Sequence, residues 1–420
     1  MTFGSLGDVL PLAALGSELA RRGHAVTLWC GALHRPMVER MGLEAVTLET
    51  DAMPDLSLHA KGLHKTPQMW RRVEQSTRAA YADLVSRWHD RPAHAPRPLV
   101  VASTFALAGR LAQERLGLPL VTVHLSPLCM VSFRDLPALK ALPYPERVPA
   151  WAGAWLGPWV ERLVFDPVVT RDLNVLRAEL GLPPVRHLLS RWMHSPERVL
   201  GLFPDWFGSP QPDWPAAARV LGFPQVDGSG EAAMATVDPE LEHFLADGPP
   251  PVVCYPGSAR RNAQKFFDEA LRTAQHCGLR VVLLTRYPDQ VKGCDDLPPW
   301  ALYRRYVPLS ALLPRAAALV HCGGVGTLAQ AVAAGCPQLV LPNHFDQFDN
   351  ARRVQRLRLG HRHSGSEWGG ALQALLADRG VLEACLARRS TLRSGVEVLA
   401  QAADLVLGHA DRAAVAVGQA

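Results

Sequence analysis

Short apolar, β-branched runs alternate along this chain with longer amphipathic stretches. In the first half, the apolar runs predict strands at residues 24–30, 44–50, 99–104, 120–125 and 199–203. The stretch VLPLAALGSELARR at residues 9–22 has apolar residues at helical spacing and stops at Gly23, which predicts a helix. Near-continuous apolar strands separated by helices are typical of parallel sheets covered on both faces.

The second half repeats this alternation, with predicted strands at residues 252–255, 281–285, 319–321 and 338–341. Between the halves, small, polar and proline residues flank a short helical piece, which indicates a linker. We therefore predict an α/β protein with two doubly wound domains, whose ligands bind at the carboxyl ends of the strands. The predicted boundaries are 1–226 for the first domain, 227–250 for the linker, 251–390 for the second domain and 391–420 for a last helix that packs back on the first domain.

Composition narrows the class of protein. The 420 residues are 48% hydrophobic and 20% charged, as in soluble globular proteins. The net charge of +5 suits an anionic small molecule or an anionic membrane surface, but no Lys or Arg run is dense enough to indicate nucleic acid. Eight cysteines without a CxxC pair argue against a disulfide framework and a zinc site, and favour a reducing cytoplasm. No stretch reaches the roughly 18 apolar residues of a membrane span.

A glycine-rich turn, Cys322-Gly323-Gly324-Val325-Gly326-Thr327, follows the strand predicted to end at His321 and precedes a helix predicted at residues 328–334. Amides at a helix start attract anions, and glycines let a phosphate approach the main chain closely. The turn matches neither the P-loop pattern nor the full dinucleotide pattern. Tight packing of the strand on the helix is the alternative explanation.

Asp346 and Gln347 follow the next predicted strand and should therefore emerge at the same edge of the sheet. A carboxylate beside an amide is a poor phosphate ligand but a good partner for several hydroxyl groups. A diphosphate site at one loop and a polyol site at the next describe a nucleotide sugar. A helix N-cap is the alternative role for Asp346.

With these residues, the segment resembles the donor-binding signature of inverting nucleotide-sugar glycosyltransferases of the GT-B fold, which have two facing Rossmann-like domains. Further stretches extend the resemblance over nearly the whole chain: TFGSLGDVLP from Thr2, RWMHSP from Arg191, LFPDWF from Leu202, LGFPQVDG from Leu221, RYVPLSALLP from Arg305 and FDQFDNARR from Phe345. Within the family, these stretches are similar to the rhamnosyltransferases of bacterial rhamnolipid synthesis.

The resemblance implies a role for each donor-site residue. The residues expected to bind the diphosphate are Ser258, His321, Gly323, Gly324, Gly326 and Thr327. Asp346 and Gln347 are expected to hold the sugar hydroxyls, and Tyr306 and Val307 the base. A half-buried tyrosine at a strand end is the alternative for Tyr306.

Ala329 stands where many relatives that use UDP sugars carry a Glu for the ribose hydroxyls. A deoxyribose lacks the 2'-hydroxyl, so an apolar residue there leaves fewer polar groups unpaired. This departure from the family pattern favours a dTDP sugar, although the neighbouring Gln330 is a candidate to compensate.

Asp8, in the FGSLGD turn, is the candidate catalytic base, and the matching Asp is the proposed base in several related bacterial enzymes. Partial burial of a carboxylate raises its pKa toward working pH and improves it as a base. Capping of the helix predicted to begin at Val9 is the alternative. His24 starts a parallel strand, at the opposite edge of the sheet, and is therefore expected to be structural.

The implied mechanism is attack of the acceptor hydroxyl from the face opposite the nucleotide, which inverts the anomeric centre. Helix-start amides and His321 are expected to stabilise the departing diphosphate. We therefore expect neither a metal nor a cofactor beyond the co-substrate, dTDP-L-rhamnose or another nucleotide sugar.

Acceptor recognition is assigned to the first domain. His124, at a strand end, is expected to face the cleft, with a satisfied core histidine as the alternative. Trp151, Trp155 and Trp159 recur at helical spacing and could line a lipid groove or rest on a membrane interface, but packing of this helix onto the domain is the favoured interpretation. The basic residues of the helix predicted at 68–90 could attract a fatty-acid carboxylate, or form a solvated face.

The N-terminus departs from the family pattern, since only Met1, Thr2 and Phe3 precede the GSLGD turn. Relatives have a central strand of five or six residues there. We expect its shortening to expose two strand edges and to empty part of the core, and hence the native chain to extend upstream.

These observations predict an inverting hexosyltransferase that moves L-rhamnose from dTDP-L-rhamnose to a 3-(3-hydroxyalkanoyloxy)alkanoate. The expected partners are the nucleotide sugar, the hydroxylated lipid, the inner face of the cytoplasmic membrane as a peripheral contact, and an enzyme that supplies the acceptor. A UDP-glucose-dependent sterol or polyketide glucosyltransferase is the alternative within the fold. A nucleotide-sugar epimerase and a non-catalytic auxiliary protein are the alternatives from other classes.

Overall fold

The structure is a computed structural model that describes residues 1–48, 66–92, 94–227, 238–258 and 260–418. Residues 228–237 of the predicted linker lie outside the described residues. The chain divides into two compact units: the first contains Met1–Pro137, Tyr144–Pro224 and Gly395–Ala420, and the second contains Ala138–Pro143 and Gln225–Ser394. Both consist of parallel strands joined through helices, which confirms the predicted α/β class.

Among the described residues, six short strands form the sheets of the first unit. They are β1 (Thr27–Cys30), β2 (Glu44–Thr47), β3 (Val100–Ser103), β4 (Leu120–His124), β5 (Arg198–Gly201) and β6 (Ala218–Val220). β1 and β2 form a parallel pair, and the other four form a parallel sheet in the order β3-β4-β5-β6. The strand predicted to start at His24 starts at Thr27, and residues 49–50 of the second predicted strand lie outside the described residues.

The first three residues lie between β1 and β3. The amide of Thr2 donates to the Trp29 carbonyl at 2.9 Å, and the amide of Ser103 donates to the Met1 carbonyl at 3.0 Å. Met1, Thr2 and Phe3 are buried, with 4%, 0% and 6% of their surface exposed. The expectation of two exposed strand edges and an emptied core is therefore wrong, because three extended residues are enough to hydrogen bond to both neighbours.

The helices of the first unit alternate with its strands. They are α1 (Leu6–Arg21), α2 (Arg35–Arg40), α3 (Thr66–His89), α4 (Ala108–Leu116), α5 (Ala150–Val160), α6 (Asp166–Val169) and α7 (Arg171–Glu179). A π-helical turn, Glu161–Phe165, joins α5 to α6. The start of α1 is Leu6 instead of Val9, because Ser5 is extended and takes the N-cap position.

A six-stranded parallel sheet forms the centre of the second unit. Its strands are β7 (Val252–Tyr255), β8 (Val281–Leu284), β9 (Ala301–Arg304), β10 (Ala318–His321), β11 (Gln338–Val340) and β12 (Gly360–Arg362). Their order is β12-β11-β10-β7-β8-β9. The helices are α8 (Pro239–Ala246), α9 (Gln264–Cys277), α10 (Leu309–Leu312), α11 (Val325–Ala334), α12 (Gln347–Arg356), α13 (Gly369–Ala377) and α14 (Arg379–Ser390). Because the strands are parallel, the loops after β7, β9, β10 and β11 all leave at one edge.

The last helix, α15 (Gly395–Gly418), packs in the first unit. Its buried Val398, Ala402 and Ala403 share a core with residues of α1 and β4. The guanidinium of Arg22 pairs with Asp404 at 2.5 Å, so charge as well as apolar contact attaches this helix. Although α3 and α15 each have 24 residues, no described helix combines enough length and apolar character to cross a membrane.

Candidate functional site

The glycine-rich turn leads directly into α11. Gly324 takes the N-cap position with an extended backbone, so the helix starts at Val325 instead of at residue 328. The amides of Val325, Gly326 and Thr327 occupy the first turn, where a helix has no internal acceptors for them. A Cβ at Gly324 or Gly326 would have no atom within 4 Å, so the main chain is open to a ligand there. This geometry suits an anion.

The glycine turn and the Asp346–Gln347 pair meet at the edge of the sheet. Gly323 has φ of +91°, and a Cβ there would lie 2.8 Å from Val340 Cγ1 and 3.2 Å from the Gln347 carbonyl. The side-chain amide of Asn350 donates to both the Gly323 carbonyl and Asp346 Oδ2, each at 2.9 Å. One buried side chain therefore joins the predicted diphosphate loop to the predicted sugar loop.

Asp346 and Gln347 stand at the start of α12, and both side chains hydrogen bond within the protein. Asp346 occupies the N-cap position of α12 but makes no capping hydrogen bond with its side chain. Gln347 Oε1 accepts from the amides of Asn343 at 3.0 Å and His344 at 3.1 Å, which fixes the side-chain amide plane. Phe345, just before the pair, has φ of +42°, a backbone conformation that is costly for a non-glycine residue and typical of ligand sites.

The loop after β7 contacts the same turn. A Cβ at Gly257 would lie 3.0 Å from Cys322 Sγ, so the two loops touch at this glycine. Ser258 hydrogen bonds to the hydroxyl of Tyr255, whose pKa burial raises to about 12. Burial also raises the pKa of the Cys322 thiol, and the positive charge of Arg260 opposes that rise. The structure thus brings Ser258, as predicted, and Tyr255 and Arg260, which were not predicted, to the edge of the glycine turn.

Tyr306 and Val307 follow β9, the last strand of the sheet. Tyr306 exposes 42% of its surface and Val307 is buried. An exposed aromatic ring at this edge is suited to stacking on a base, and the base-binding role of Tyr306 stays a prediction.

His321 differs from the prediction. It is fully buried, its Nε2 donates to Gln338 Oε1 at 3.1 Å, and its Nδ1 accepts from the Gly323 amide at 3.2 Å. Burial lowers its pKa to about 4, so the ring is neutral at physiological pH. The predicted direct contact with a diphosphate does not fit this arrangement, because both ring nitrogens are already used; His321 instead orients Gly323.

Ala329 and Gln330 are both buried inside α11, with 2% and 4% of their surface exposed. The side-chain amide nitrogen of Gln330 has no hydrogen-bond partner among the described residues. A Glu at position 329 would therefore be placed against packed atoms in this chain.

Asp8 lies in the third position of α1 and is not its N-cap. Its Oδ2 accepts from the amide of Ser5 at 2.7 Å and from the Ser5 hydroxyl at 2.8 Å. Burial raises the pKa of Asp8, while the two bonds from Ser5 and the charge of His34 act in the opposite direction. A half-buried carboxyl with a raised pKa is suited to take a proton from a hydroxyl group.

His34 is a neighbour of this carboxyl that sequence reasoning missed. It is 9% exposed, and its Nε2 lies 3.2 Å from the Gly4 carbonyl, in the turn that Asp8 closes. Gly4 itself has φ of +137°, and a Cβ there would lie 2.4 Å from Asp8 Oδ2. Only glycine fits this turn, which explains the FGSLGD pattern. A histidine in the turn after a strand is a weak signal, so the sequence alone does not reveal it.

His124 is the clearest correction among the acceptor residues. It is fully buried, with Nδ1 2.9 Å from the Thr104 hydroxyl and Nε2 2.9 Å from His194 Nδ1. Burial lowers the pKa of both histidines, that of His194 to about 4. His124 therefore does not face the surface, and the core interpretation is the correct one; Thr104, half-buried, is its hydrogen-bond partner nearer the surface.

The tryptophan stripe also differs from the favoured interpretation. Trp151, Trp155 and Trp159 expose 74%, 67% and 53% of their surface, so this helix does not bury them against the domain. On α3, by contrast, Arg78 pairs with Glu74 and Glu179, so its charge is largely neutralised. This favours the solvated-face interpretation of α3 over the binding of a carboxylate.

No group of three His, Cys, Asp or Glu side chains in the described ranges is placed to hold a metal ion. All eight cysteines, which lie within those ranges, are free thiols.

Two family models match different parts of the chain, one near each end. Residues 1–131 match the glycosyltransferase family 28 N-terminal domain, and residues 280–377 match the C-terminal domain of erythromycin biosynthesis protein CIII-like proteins. The chain is 31% identical over 373 residues to O-mycaminosyltylonolide 6-deoxyallosyltransferase of Streptomyces fradiae, an alignment that covers 85% of this chain and 83% of that protein.

Solved structures share the fold. The glycosyltransferase of kitacinnamycin superposes with a TM-score of 0.73 and 22% identity, covering 97% of each chain. Glycosyltransferase VinC in complex with dTDP superposes with a TM-score of 0.65 and 20% identity, covering 98% of this chain and 99% of that one. At this level of identity the likeness establishes the architecture.

Proposed function

This chain belongs to the glycosyltransferases that carry the family 28 N-terminal domain, and from that premise we propose that it transfers L-rhamnose from dTDP-L-rhamnose to a 3-(3-hydroxyalkanoyloxy)alkanoate. The product is a mono-rhamnolipid. The observation that carries the proposal is the meeting of the α11 amides with Asp346 and Gln347 through Asn350. This is the pairing of an anion site with a polyol site that a nucleotide sugar needs. An epimerase is disfavoured by the family.

The donor is a dTDP sugar bound by the second unit. The amides of Val325, Gly326 and Thr327 receive its diphosphate, with Ser258 beside them, and Asp346 and Gln347 receive the sugar hydroxyls. The solved complex of VinC with dTDP supports this nucleotide. The Streptomyces fradiae relative is named for transfer of a 6-deoxyhexose, and L-rhamnose is a sugar of that class.

Transfer needs one proton acceptor and one stabilised leaving group. Asp8 takes the proton of the acceptor hydroxyl as its oxygen attacks the anomeric carbon. The bond from that carbon to the diphosphate breaks with its electron pair on the diphosphate, so the configuration inverts. The first-turn amides of α11 stabilise the charge that develops there. Since His321 is neutral, it acts by orienting the Gly323 amide and not by its charge.

The acceptor is a hydroxylated lipid, received by the first unit from a partner enzyme that supplies it in the cytoplasm. Such a substrate favours peripheral contact with the inner face of the membrane. The exposed tryptophans of α5 are the observation in favour of a lipid.

A second candidate is a glycosyltransferase for a polyketide or sterol acceptor, with UDP-glucose as donor. The 31% identity to a protein named for its tylonolide acceptor favours a polyketide. This candidate differs from the first in both donor and acceptor, so one panel of donors and acceptors distinguishes the two functions.

The test is product analysis by mass spectrometry. We expect dTDP-L-rhamnose and a 3-(3-hydroxyalkanoyloxy)alkanoate to give a product heavier than the lipid by one deoxyhexosyl group. Matched reactions replace the donor by UDP-glucose and the acceptor by a macrolide aglycone or a sterol. Sugar transfer to the aglycone, or transfer from UDP-glucose alone, would overturn the proposal.

A further inference from the structure

An exposed apolar face runs along residues 151–165 of the first unit. We call it the tryptophan face: Trp151, Trp155, Leu156, Trp159, Val160, Leu163, Val164 and Phe165, which expose between 38% and 74% of their surface. The segment of 15 residues is about 22 Å long at helical rise. Its three indoles alone expose on the order of 500 Å², as much as the largest apolar patch of a typical monomer.

Two glycines explain why the bulky side chains all point outward. Gly153 lies against the Phe133 carbonyl, where a Cβ would be 2.5 Å from the oxygen, and Gly157 lies against the Phe133 ring, where a Cβ would be 2.2 Å from Cδ1. At these two glycines the helix therefore packs its main chain directly against Phe133. Residues four apart lie on one side of a helix, so Trp151, Trp155 and Trp159 are held on the opposite side.

The acidic residues of the same segment point inward. Glu161 is 3% exposed and accepts hydrogen bonds from the amide and hydroxyl of Ser190, and Asp166 is 5% exposed and accepts from the amide of His187 at 2.7 Å. The remaining charged residue of residues 150–170 is Arg162, which is exposed and lies over the Trp159 ring at 6.0 Å. The outer face of this segment thus combines apolar side chains with positive charge and no exposed carboxylate.

Basic residues continue around the tryptophan face. Arg134 follows Phe133, Arg147 precedes α5, and Arg171 follows α6; all three are exposed. Together with Arg162 we call these residues the arginine rim. Arg147 lies over the Tyr144 ring at 4.7 Å, and the adjacent Glu146 is an exposed carboxylate among four arginines. A two-fold contact between two copies would bring these like charges together. An anionic lipid surface would pair with them instead.

We propose that the tryptophan face docks the enzyme on an anionic bilayer, with the indoles at the level of the headgroups and the arginine rim on lipid phosphates. Indole suits this depth, because its apolar body enters the acyl boundary while its N–H stays in contact with water and headgroups. The proposal deepens the proposed lipid glycosylation by naming the membrane surface. Its main measurement, binding to vesicles, requires no sugar transfer, so either idea can fail alone.

The experiment is sedimentation of the full chain with sucrose-loaded vesicles of phosphatidylcholine, with and without phosphatidylglycerol. We expect binding to the phosphatidylglycerol vesicles, with a blue shift of tryptophan emission and quenching by brominated lipid. The variant Trp151→Ser/Trp155→Ser/Trp159→Ser should lose about tenfold or more of its partition coefficient. Since these side chains are exposed, its melting temperature should match that of the wild type, which shows that it folds.

The matched control is Leu382→Ser/Leu386→Ser on α14 of the second unit, where two leucines expose 45% and 49% of their surface. This variant should bind vesicles like the wild type. The variant Arg134→Gln/Arg147→Gln/Arg162→Gln/Arg171→Gln should lose the salt-sensitive part of binding to phosphatidylglycerol.

Three results would overturn the proposal. One is equal sedimentation of the wild type and the tryptophan variant. Another is a wild-type dimer in analytical ultracentrifugation that the tryptophan variant converts to monomer, with no vesicle binding, which would assign the face to a second copy. The third is tryptophan-dependent binding of one monomeric 3-(3-hydroxyalkanoyloxy)alkanoate per chain without vesicle binding, which would assign it to the acceptor.

Discussion

At the scale of single residues, Asp8 is the proposed catalytic base, and its surroundings shift its pKa in opposite directions. Burial disfavours the carboxylate, whereas the amide and hydroxyl of Ser5 favour it. Both Ser5 bonds go to Oδ2. In the proposed mechanism this oxygen positions the carboxyl group, and Oδ1 receives the substrate proton. A helix-capping contact and a catalytic role are therefore compatible in the same side chain.

Replacement of Asp8 tests that role. In Asp8→Asn the amide oxygen can still accept from Ser5, so the start of α1 should persist, but the base is lost. We expect kcat/KM to fall by about a hundredfold or more, with the Kd for dTDP, measured by calorimetry, unchanged. An unchanged rate would remove Asp8 from the mechanism, and a lost dTDP affinity would indicate disruption of the fold.

The variant Ser5→Ala tests the role of Asp8 through the pH dependence of kcat/KM. It removes one of the two hydrogen bonds that favour the Asp8 carboxylate, so the pKa of Asp8 should rise further. Because the base works deprotonated, the acid limb of the pH profile of kcat/KM should move to higher pH, by on the order of one unit or less. Loss of the N-cap hydroxyl should also lower the free energy of unfolding by about 1 kcal/mol. If the acid limb of the kcat/KM profile does not move, a group other than Asp8 determines the loss of activity at low pH.

At the scale of secondary structure, the proposed donor site is the start of one helix. The residue that opens α11 is Gly324, and the open main chain at Gly326 lets an anion reach the first-turn amides. Gly323 has a structural role, because its positive φ and its close contact with Val340 pack the turn against the loop that follows β11. The three glycines of one motif thus serve packing at one position and, in the proposed site, ligand approach at the other two.

The variant Gly326→Ala distinguishes the packing role from the ligand-binding role. A Cβ there meets no atom of the protein, so the melting temperature should stay within a few degrees, but the methyl group obstructs the approach of a diphosphate. We expect dTDP affinity to fall about tenfold, measured by calorimetry. The control is Gly370→Ala, at the same second position of α13, which also has open space and should change neither quantity. Equal affinities for the two variants would place the diphosphate elsewhere.

At the scale of the whole molecule, the buried His124, His194 and His321 are expected to lower the stability of the protein in acid, together with the N-terminal amine, whose pKa burial lowers to about 5. Burial lowers the pKa of His194 and His321 to about 4, and that of His124 well below its ordinary value. Between pH 6.5 and 4, the unfolded chain therefore binds protons that the folded chain does not, so the folded state loses stability as pH falls. Asp8, with its raised pKa, acts with the opposite sign.

We expect the free energy of unfolding, measured with urea and tryptophan fluorescence, to fall by several kcal/mol from pH 7 to pH 4.5, since one pKa unit corresponds to about 1.4 kcal/mol. His194→Gln keeps an acceptor for His124 and a donor for the Leu189 carbonyl. It should flatten the pH dependence even if it lowers stability overall. A curve of the same slope for both proteins would show that carboxylates, not histidines, cause the acid loss.

The sequence by itself determined the fold class, the two units, most of the strands and the glycine turn. Apolar periodicity and turn chemistry are local properties, so they are readable without the structure. It also placed Ser258, Asp346 and Gln347 at one edge of the second sheet, because parallel strands end on the same side.

Tertiary structure decided the roles of side chains that are distant in sequence. His321 and His124 end strands, as expected, but only packing shows that both are buried and hydrogen bonded within the protein. Asn350 joins two loops because α12 folds back over the glycine turn, and the indoles of α5 point outward because Phe133 fills the space beside Gly153 and Gly157. A sequence pattern records how often apolar residues recur along a helix, whereas the side that is buried depends on which surface that helix meets.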